Sequence, residues 1–477
     1  MFLKKNTITE LSILTGISIY AFYVNWLSGN NGIIPIDSFG FLDTGHSILN
    51  GKLPIRDFWI FTGLLVDYMG AFFIAVFGNK WSSYLIHSSF MNIFATIIFY
   101  LFLRNFDISK KFITLYCLSF ATLCYPVSGT PFAYLHSYIF SLISLMILII
   151  AIKNKNKFIW FILPIVCTLA FLSMQTPSSY ILVILLSSSI IYFLKYKDLK
   201  NFKFFLIGSF SSLFLFFTFL VITSTPFSNF IYQYILFPLT IGEGRIASEE
   251  TAYVSLLDQF NLKRILGEFK FIHFLLIPFL FVILKNFKRQ EGVINFLNFS
   301  FFLSILAFLF NQLITANQIY IFSLIPIIAS LLHINIVKFN YSTKNIYLII
   351  FIVLIASVKF HFRYNIDRKF HDLENIDKSK ALDAKIIHQN LNNLKWISKF
   401  DNPKNELLII KQAIDIIGND ERDKTLITHY QFMSTILEEP LNILNRWYLW
   451  DNNTHPTENH KYFDNYKFLV NKNIKKN

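Results

Sequence analysis

Long apolar runs separated by short charged connections fill the first 360 residues of the chain, and a polar segment of different texture follows them. Runs of about 16–21 apolar residues match the length a helix needs to cross a bilayer. They predict spans near 11–27, 83–103, 110–126, 135–152, 158–173, 179–194, 204–223, 270–285, 293–313, 319–336 and 346–360. The connections alternate in charge. RNFDISKK (104–111), KNKNK (153–157), KYKDLKNFK (195–203), KNFKR (285–289) and the 338–344 stretch are rich in Lys and Arg, whereas the loops near 129–137, 174–179 and 315–318 carry little charge. Placing basic loops in the cytoplasm gives about eleven spans with the amino end inside and the carboxyl end outside.

That alternation constrains residues 29–82, which must begin and end outside. Their apolar run at 60–78 is then no simple crossing, since a crossing would invert every later loop and export most of the lysines. It is expected to lie at the interface or re-enter, where Asp67, Gly63 and Gly70 are tolerated better than in a lipid-facing helix. The loop at 224–269 is the other long outward segment. Its 230–241 part is apolar enough to lie along the membrane, and GEGR is expected to put Glu243 and Arg245 on a flexible turn.

From 361 to 477 the chain turns polar. NELLIIKQAIDIIG reads as an amphipathic helix ending at Gly418, TLITHY as a strand and QFMSTILEE as a helix, which together predict a small α/β extracytoplasmic domain. The fold class is therefore an all-α polytopic membrane protein (1–360), with juxtamembrane helices in its first outer loop, plus that appendage (361–477).

Composition agrees. Of 477 residues, 54% are hydrophobic and only 15% charged, and the mean hydropathy is +0.49; an ordinary soluble domain has roughly 25% charged residues. The net charge of +14 is scattered through short loops rather than gathered in a stripe, which argues against nucleic acid as a partner. Cys117, Cys124 and Cys167 lie inside apolar runs without metal-ligand spacing and read as buried thiols. No P-loop, dinucleotide fingerprint, H-E-x-x-H or C-x-x-C occurs.

Chemistry concentrates in Pro35–Gly78, where Asp37, Asp43, His46, Lys52, Arg56 and Asp57 crowd into about twenty residues at the mouth of a greasy bundle. An integral enzyme that moves a sugar off a polyprenyl phosphate needs a carboxylate at the outer surface, as base or acceptor-positioning group. It also needs basic groups to hold the lipid phosphate. Asp37 is the candidate for the first; Lys52, Arg56 and Arg245 are candidates for the second. The plain alternatives are that Asp37 caps a helix starting at Ser38, and that Arg56 and Asp57 form a solvated pair. Tyr134, His136 and Gln175 lie at outward span ends as candidate substrate contacts. His87 and Asn92 sit within an apolar run, where such groups usually bridge helices.

The pattern D-(x13)-G-K-L-P-x-R-D-F-W-x-x-T-G-L-L-x-x-Y-(apolar)-F-G resembles the first outer loop of the GT-C superfamily of membrane glycosyltransferases, which includes the protein O-mannosyltransferases and the aminoarabinose transferase of lipid A. The resemblance carries the acidic residue opening that loop onto Asp37, with Gly51 fourteen residues on, and carries later elements onto Thr62–Leu65 and Phe77–Gly78. It implies a polyprenyl-phosphate-linked donor, an inverting transfer and a site facing away from the cytoplasm, in an inner membrane. Relatives often have Asp-Glu where this chain has Asp37-Ser38, and a second acid where it has TPFAYLHSY. The second acid is thus open among Asp43, Asp57 and Glu243, and no cofactor is implied firmly beyond room for a divalent metal. Two other functions fit the same outline: a transporter or flippase of lipid-linked saccharides, and a polysaccharide polymerase or ligase. Either would share membrane lipids as partners, and nothing in the sequence sets an oligomeric state.

Overall fold

A computed structural model describes residues 7–247, 262–288, 292–315, 319–400, 402–439, 441–449 and 452–474. Among these, seven helices are long and apolar enough to cross a membrane: Ile8–Gly29, Trp81–Leu103, Ala133–Asn154, Gln175–Tyr196, Leu199–Ile222, Val293–Ile314 and Lys344–Ile366. The other four expected spans are also helical, as Lys110–Leu123, Lys157–Ser173, Lys270–Lys285 and Leu324–Lys338, but at 14, 17, 16 and 15 residues they are shorter than a perpendicular crossing wants.

Ala133–Asn154 is the axis of the bundle. It is buried along nearly its whole length and packs against Trp81–Leu103, Lys157–Ser173, Gln175–Tyr196 and Val293–Ile314. Leu199–Ile222 is peripheral and presents Phe210, Phe214, Val221 and Ile222 outward, as a lipid-facing helix would. Some polar groups inside the bundle are matched across helices. Asn92 donates to the carbonyls of Ala21 (2.9 Å) and Ala121 (3.0 Å), and His87 meets His136 ring to ring at 2.9 Å. These are the helix bridges the sequence led one to expect.

The first long loop folds into the short helices Pro35–Ser38, Gly40–Leu49 and Leu64–Phe77. The last has 14 residues, about 21 Å at 1.5 Å per residue, and so falls short of the roughly 30 Å apolar core. It starts at Gly63 and stops at Gly78, whose φ values of 76° and 90° favour glycine at both turns. It lies tightly on Gly40–Leu49: a Cβ on Gly45 would come within 3.0 Å of the Ala71 nitrogen, so only glycine permits this approach.

The tail after 360 does not keep its core to itself. Ala384, Leu391, Leu394, Trp396, Leu407, Ile410, Phe432 and Met433 share one apolar cluster with Phe39, Phe41, Leu42, Val66, Trp81 and Leu85 of the loop and the next span. Backbone bonds seal the join, with Gly32 and Ile33 donating to the carbonyls of Lys395 (3.0 Å) and Ile397 (2.8 Å). The helix expected to end at Gly418 is present as Pro403–Gly418, and the QFMSTILEE helix is reduced to Met433–Leu437. The expected TLITHY strand is not formed. Thr425 makes one isolated bridge with Asn442, and the described strands are the two-residue pair Leu382–Asp383 and Lys395–Trp396. Among the described residues TLITHY finds no neighbouring strand long enough to pair with; Leu426 and Tyr430 pack against the shared cluster, and Ile427 is exposed.

Candidate functional site

Three chain segments meet at one end of the bundle. The turn at 125–130 is held against the end of the first helix by glycine on both sides; a Cβ on Gly129 would fall 2.6 Å from the Gly29 Cα. Pro35–Ser38 follows in the first loop, and 368–373 comes from the tail. Between them is a small cavity whose polar lining is Asp37, Ser38, Ser128, Thr130, Tyr320 and Arg368.

Asp37 stands inside the Pro35–Ser38 helix rather than capping one that begins at Ser38, because the chain already turns helical at Pro35. The Ile34 N–H instead bonds the Ser38 hydroxyl at 2.9 Å. The Asp37 side chain is half-buried. Among the described residues it forms no ion pair and takes no side-chain hydrogen bond. Burial in the cavity, assisted by the negative charge of Asp372, lifts its pKa to about 7. Facing it, Arg368 is buried and its guanidinium is committed to backbone and hydroxyl oxygens: Asn31 (3.1 Å), Val127 (3.0 Å), Pro126 (3.0 Å), Ser128 (2.9 Å) and the Ser28 hydroxyl (2.7 Å). Burial lowers its pKa to about 9. A saturated arginine thus fixes the wall of the cavity while the carboxylate beside it stays unengaged.

The other candidates have different surroundings. Asp57 accepts from Arg56 at 2.6 Å and from the Leu53 N–H at 2.8 Å. Arg56 also donates to the carbonyls of Thr223 (3.1 Å) and Gly51 (2.9 Å), tying the loop to the end of Leu199–Ile222. The plain reading of that pair therefore holds, in a half-buried rather than solvated form. Asp43 is fully buried, bonded to the Ser434 hydroxyl through one oxygen, and burial lifts its pKa to about 7. Lys52 is half-buried. His136, expected at a span entrance, is buried within the bundle, where Tyr125 (2.8 Å) and His87 occupy its ring nitrogens. Tyr134 is buried against Tyr320, 5.7 Å between ring centres, just behind the cavity. Gln175 donates to the carbonyls of Phe61 (2.8 Å) and Tyr234 (2.7 Å), joining the first loop to the late loop.

The expected flexible turn at GEGR is corrected: Phe237–Ala247 is helical through both glycines, continuing Phe227–Phe230 and Ile231–Leu236. The side chains of Glu243 and Arg245, and residues 248–261, lie outside the described residues. The late loop is pinned to the first by Gln233, which donates to the Ile55 carbonyl at 2.9 Å and accepts from the Ile60 N–H at 3.1 Å.

Sequence reasoning missed three residues of the tail. Arg368 and Asp372 flank the Asp37 cavity, and Arg446 forms a buried ion pair with Asp67, which also accepts from Thr44 at 2.5 Å. An acid inside an apolar run signals a missing cationic partner, yet nothing in the tail's pattern picks Arg446 out. Among the described residues no three His, Cys, Asp or Glu side chains gather as metal ligands, so no step is derived through a metal. No family model matches the chain, and no curated protein matches its sequence.

Proposed function

We propose that the chain is a GT-C-like glycosyltransferase of an inner membrane, with eleven spans, its amino end in the cytoplasm and its tail outside. It moves a sugar from a polyprenyl-phosphate donor to an extracytoplasmic acceptor, with inversion. The observation that carries the reading is Asp37: a half-buried carboxylate free of side-chain partners among the described residues, with a pKa raised to about 7. A general base works best when its pKa lies near the working pH. Asp37 takes the proton of the acceptor hydroxyl as that oxygen bonds to the anomeric carbon, and the bond to the phosphate oxygen breaks with its electron pair leaving on the lipid phosphate.

Support for a lipid-borne donor comes from two apolar grooves of about 460 and 330 Å³ between Lys157–Ser173 and Leu199–Ile222. They share Thr168, Leu172, Ser212 and Phe216 and end against Leu64, Leu65 and Tyr68 of the outer loop. A polyprenyl chain lying there has its phosphate emerge beside Arg56, whose bond to Thr223 sits at the top of the same helix.

The test is transfer in membranes supplied with polyprenyl-phosphate sugars. Asp37→Asn is expected to lose about 10²–10⁴-fold in rate, the usual contribution of a positioned base. Wild-type turnover in that variant removes Asp37 from the mechanism.

A further inference from the structure

A row of aromatic rings runs away from the Asp37 helix across the outer face. It begins at Trp447, whose indole N–H donates to the Ile36 carbonyl at 2.8 Å, one residue before Asp37. From there ring centres follow one another: Trp447 to Phe61 (5.6 Å), Phe61 to Phe237 (6.0 Å), Phe237 to His460 (5.2 Å), His460 to Tyr462 (5.6 Å) and Tyr462 to Tyr232 (5.9 Å). First loop, late loop and tail all contribute. Trp59 and Phe237 are buried as its floor, whereas Trp447, Phe61, His460, Tyr462 and Tyr232 are half-exposed.

We propose that this row binds the acceptor as an extended saccharide chain; the inference rests on the transferase reading above. The flat C–H faces of pyranose rings stack on aromatic faces, and the phenol tips of Tyr232 and Tyr462 supply hydrogen bonds at the edges; His460 is held by Thr240 (2.9 Å) and the Tyr462 N–H (3.1 Å). A surface sunk among lipid tails would carry no charges, yet Glu458, Lys461 and Asp464, next to His460 and Tyr462 in the chain, are exposed. The row faces water, and one end of it holds the backbone carbonyl of the residue before Asp37.

The experiment uses the full chain in lipid nanodiscs, titrated calorimetrically with cellohexaose, chitohexaose and maltohexaose. At least one hexasaccharide is expected to bind the wild type, at least tenfold more weakly to Phe61→Ala and Tyr462→Ala, and nearly as well to Tyr462→Phe, which keeps the stacking face. No binding by any of the three, or equal binding by the alanine variants, overturns the proposal. The two readings fail separately. Asp37-dependent transfer with unchanged acceptor KM in the alanine variants sinks the row and leaves the transferase. Hexasaccharide binding along the row, with no transfer from any polyprenyl-phosphate sugar, does the reverse.

Discussion

Two arginines of the tail reach back into the first long loop, and they treat the aspartates they meet in opposite ways. Arg446 is 1% exposed and gives its charge to Asp67, a bond to the Thr62 carbonyl, and its flat face to Phe41 and Trp447. Arg368 is 3% exposed, gives its donors to carbonyls, and leaves Asp37 without a partner across the cavity. The first arrangement is a seam, in which every charge is answered. In the second the charge is placed and held but not cancelled, which is what a reacting carboxylate requires. Burial therefore does not tell these two acids apart; the commitment of the neighbouring cation does.

The comparison breaks most severely at the seam. Removing one partner of a buried pair leaves a naked charge in an apolar core, at a cost of about 3–5 kcal/mol. Arg446→Met is expected to lower the thermal midpoint of the detergent-solubilised protein sharply and to cut its monodisperse yield. Combining it with Asp67→Leu should restore most of the loss, because the double variant buries no unpaired charge. A double variant as unstable as the single would show that the bonds of Arg446 to Thr62 and its aromatic neighbours matter more than Asp67.

Arg368→Met comes next. It strips the donor from the carbonyls of Asn31, Pro126, Val127 and Ser128, and about 1–3 kcal/mol is expected to be lost for buried oxygens left unsatisfied. Its signature differs from that of the seam: no substitution at Asp37 should rescue it, because Asp37 is not its partner. Recovery of the thermal midpoint by Asp37→Asn in the same chain would erase the distinction.

How much of this was legible in the sequence follows from the range of the forces involved. The helices were, because apolar periodicity and loop charge are local, and each expected span coincides with a helix even where it is short. The Leu64–Phe77 helix was legible as an apolar run interrupted by Asp67 and Gly70, and its start at Gly63 as a break in that run. What could not be read was the join between loop and tail. Asp67 and Arg446 are 379 residues apart, and Asp37 and Arg368 nearly as far; a polar, Asn-rich tail gives no local sign that its arginines are buried. The strand expected at TLITHY failed for the same reason, since strand formation depends on a partner edge that the sequence does not display. Candidate residues at span ends were overassigned: His136 and Gln175 look like substrate contacts from their position, but each satisfies backbone or neighbouring side chains.

Asp43 lies between the two extremes, and pH separates it from the seam. Its folded pKa of about 7, raised by burial against one bond from Ser434, exceeds the ordinary 3.8. The folded state therefore holds a proton that the unfolded chain releases, so this stabilisation is complete below about pH 4 and is lost as pH rises towards 7. Stability is expected to fall across that window by on the order of a few kcal/mol, read as a falling thermal midpoint. Asp43→Asn should flatten the fall. A wild-type profile that rises over the same range would mean that the buried carboxylate is charged and answered by some other group.

The smallest effect belongs to Asp372 and bears directly on the base. Burial is the main cause of the raised Asp37 pKa, and the Asp372 charge is the lesser one. Asp372 is exposed and 3.4 Å from Lys399, so solvent and that lysine screen it. Asp372→Asn removes a like charge and should move the rising limb of the pH–rate profile to lower pH by a fraction of a unit, with little change at the plateau. Added salt should shrink the difference between the two profiles, because an exposed charge is screened and a buried one is not. A limb that stays in place in Asp372→Asn, but vanishes in Asp37→Asn, would assign the whole shift to the cavity walls. A limb present in both variants would place the titrating base elsewhere, and would undo the contrast between the two arginines on which the assignment of Asp37 stands.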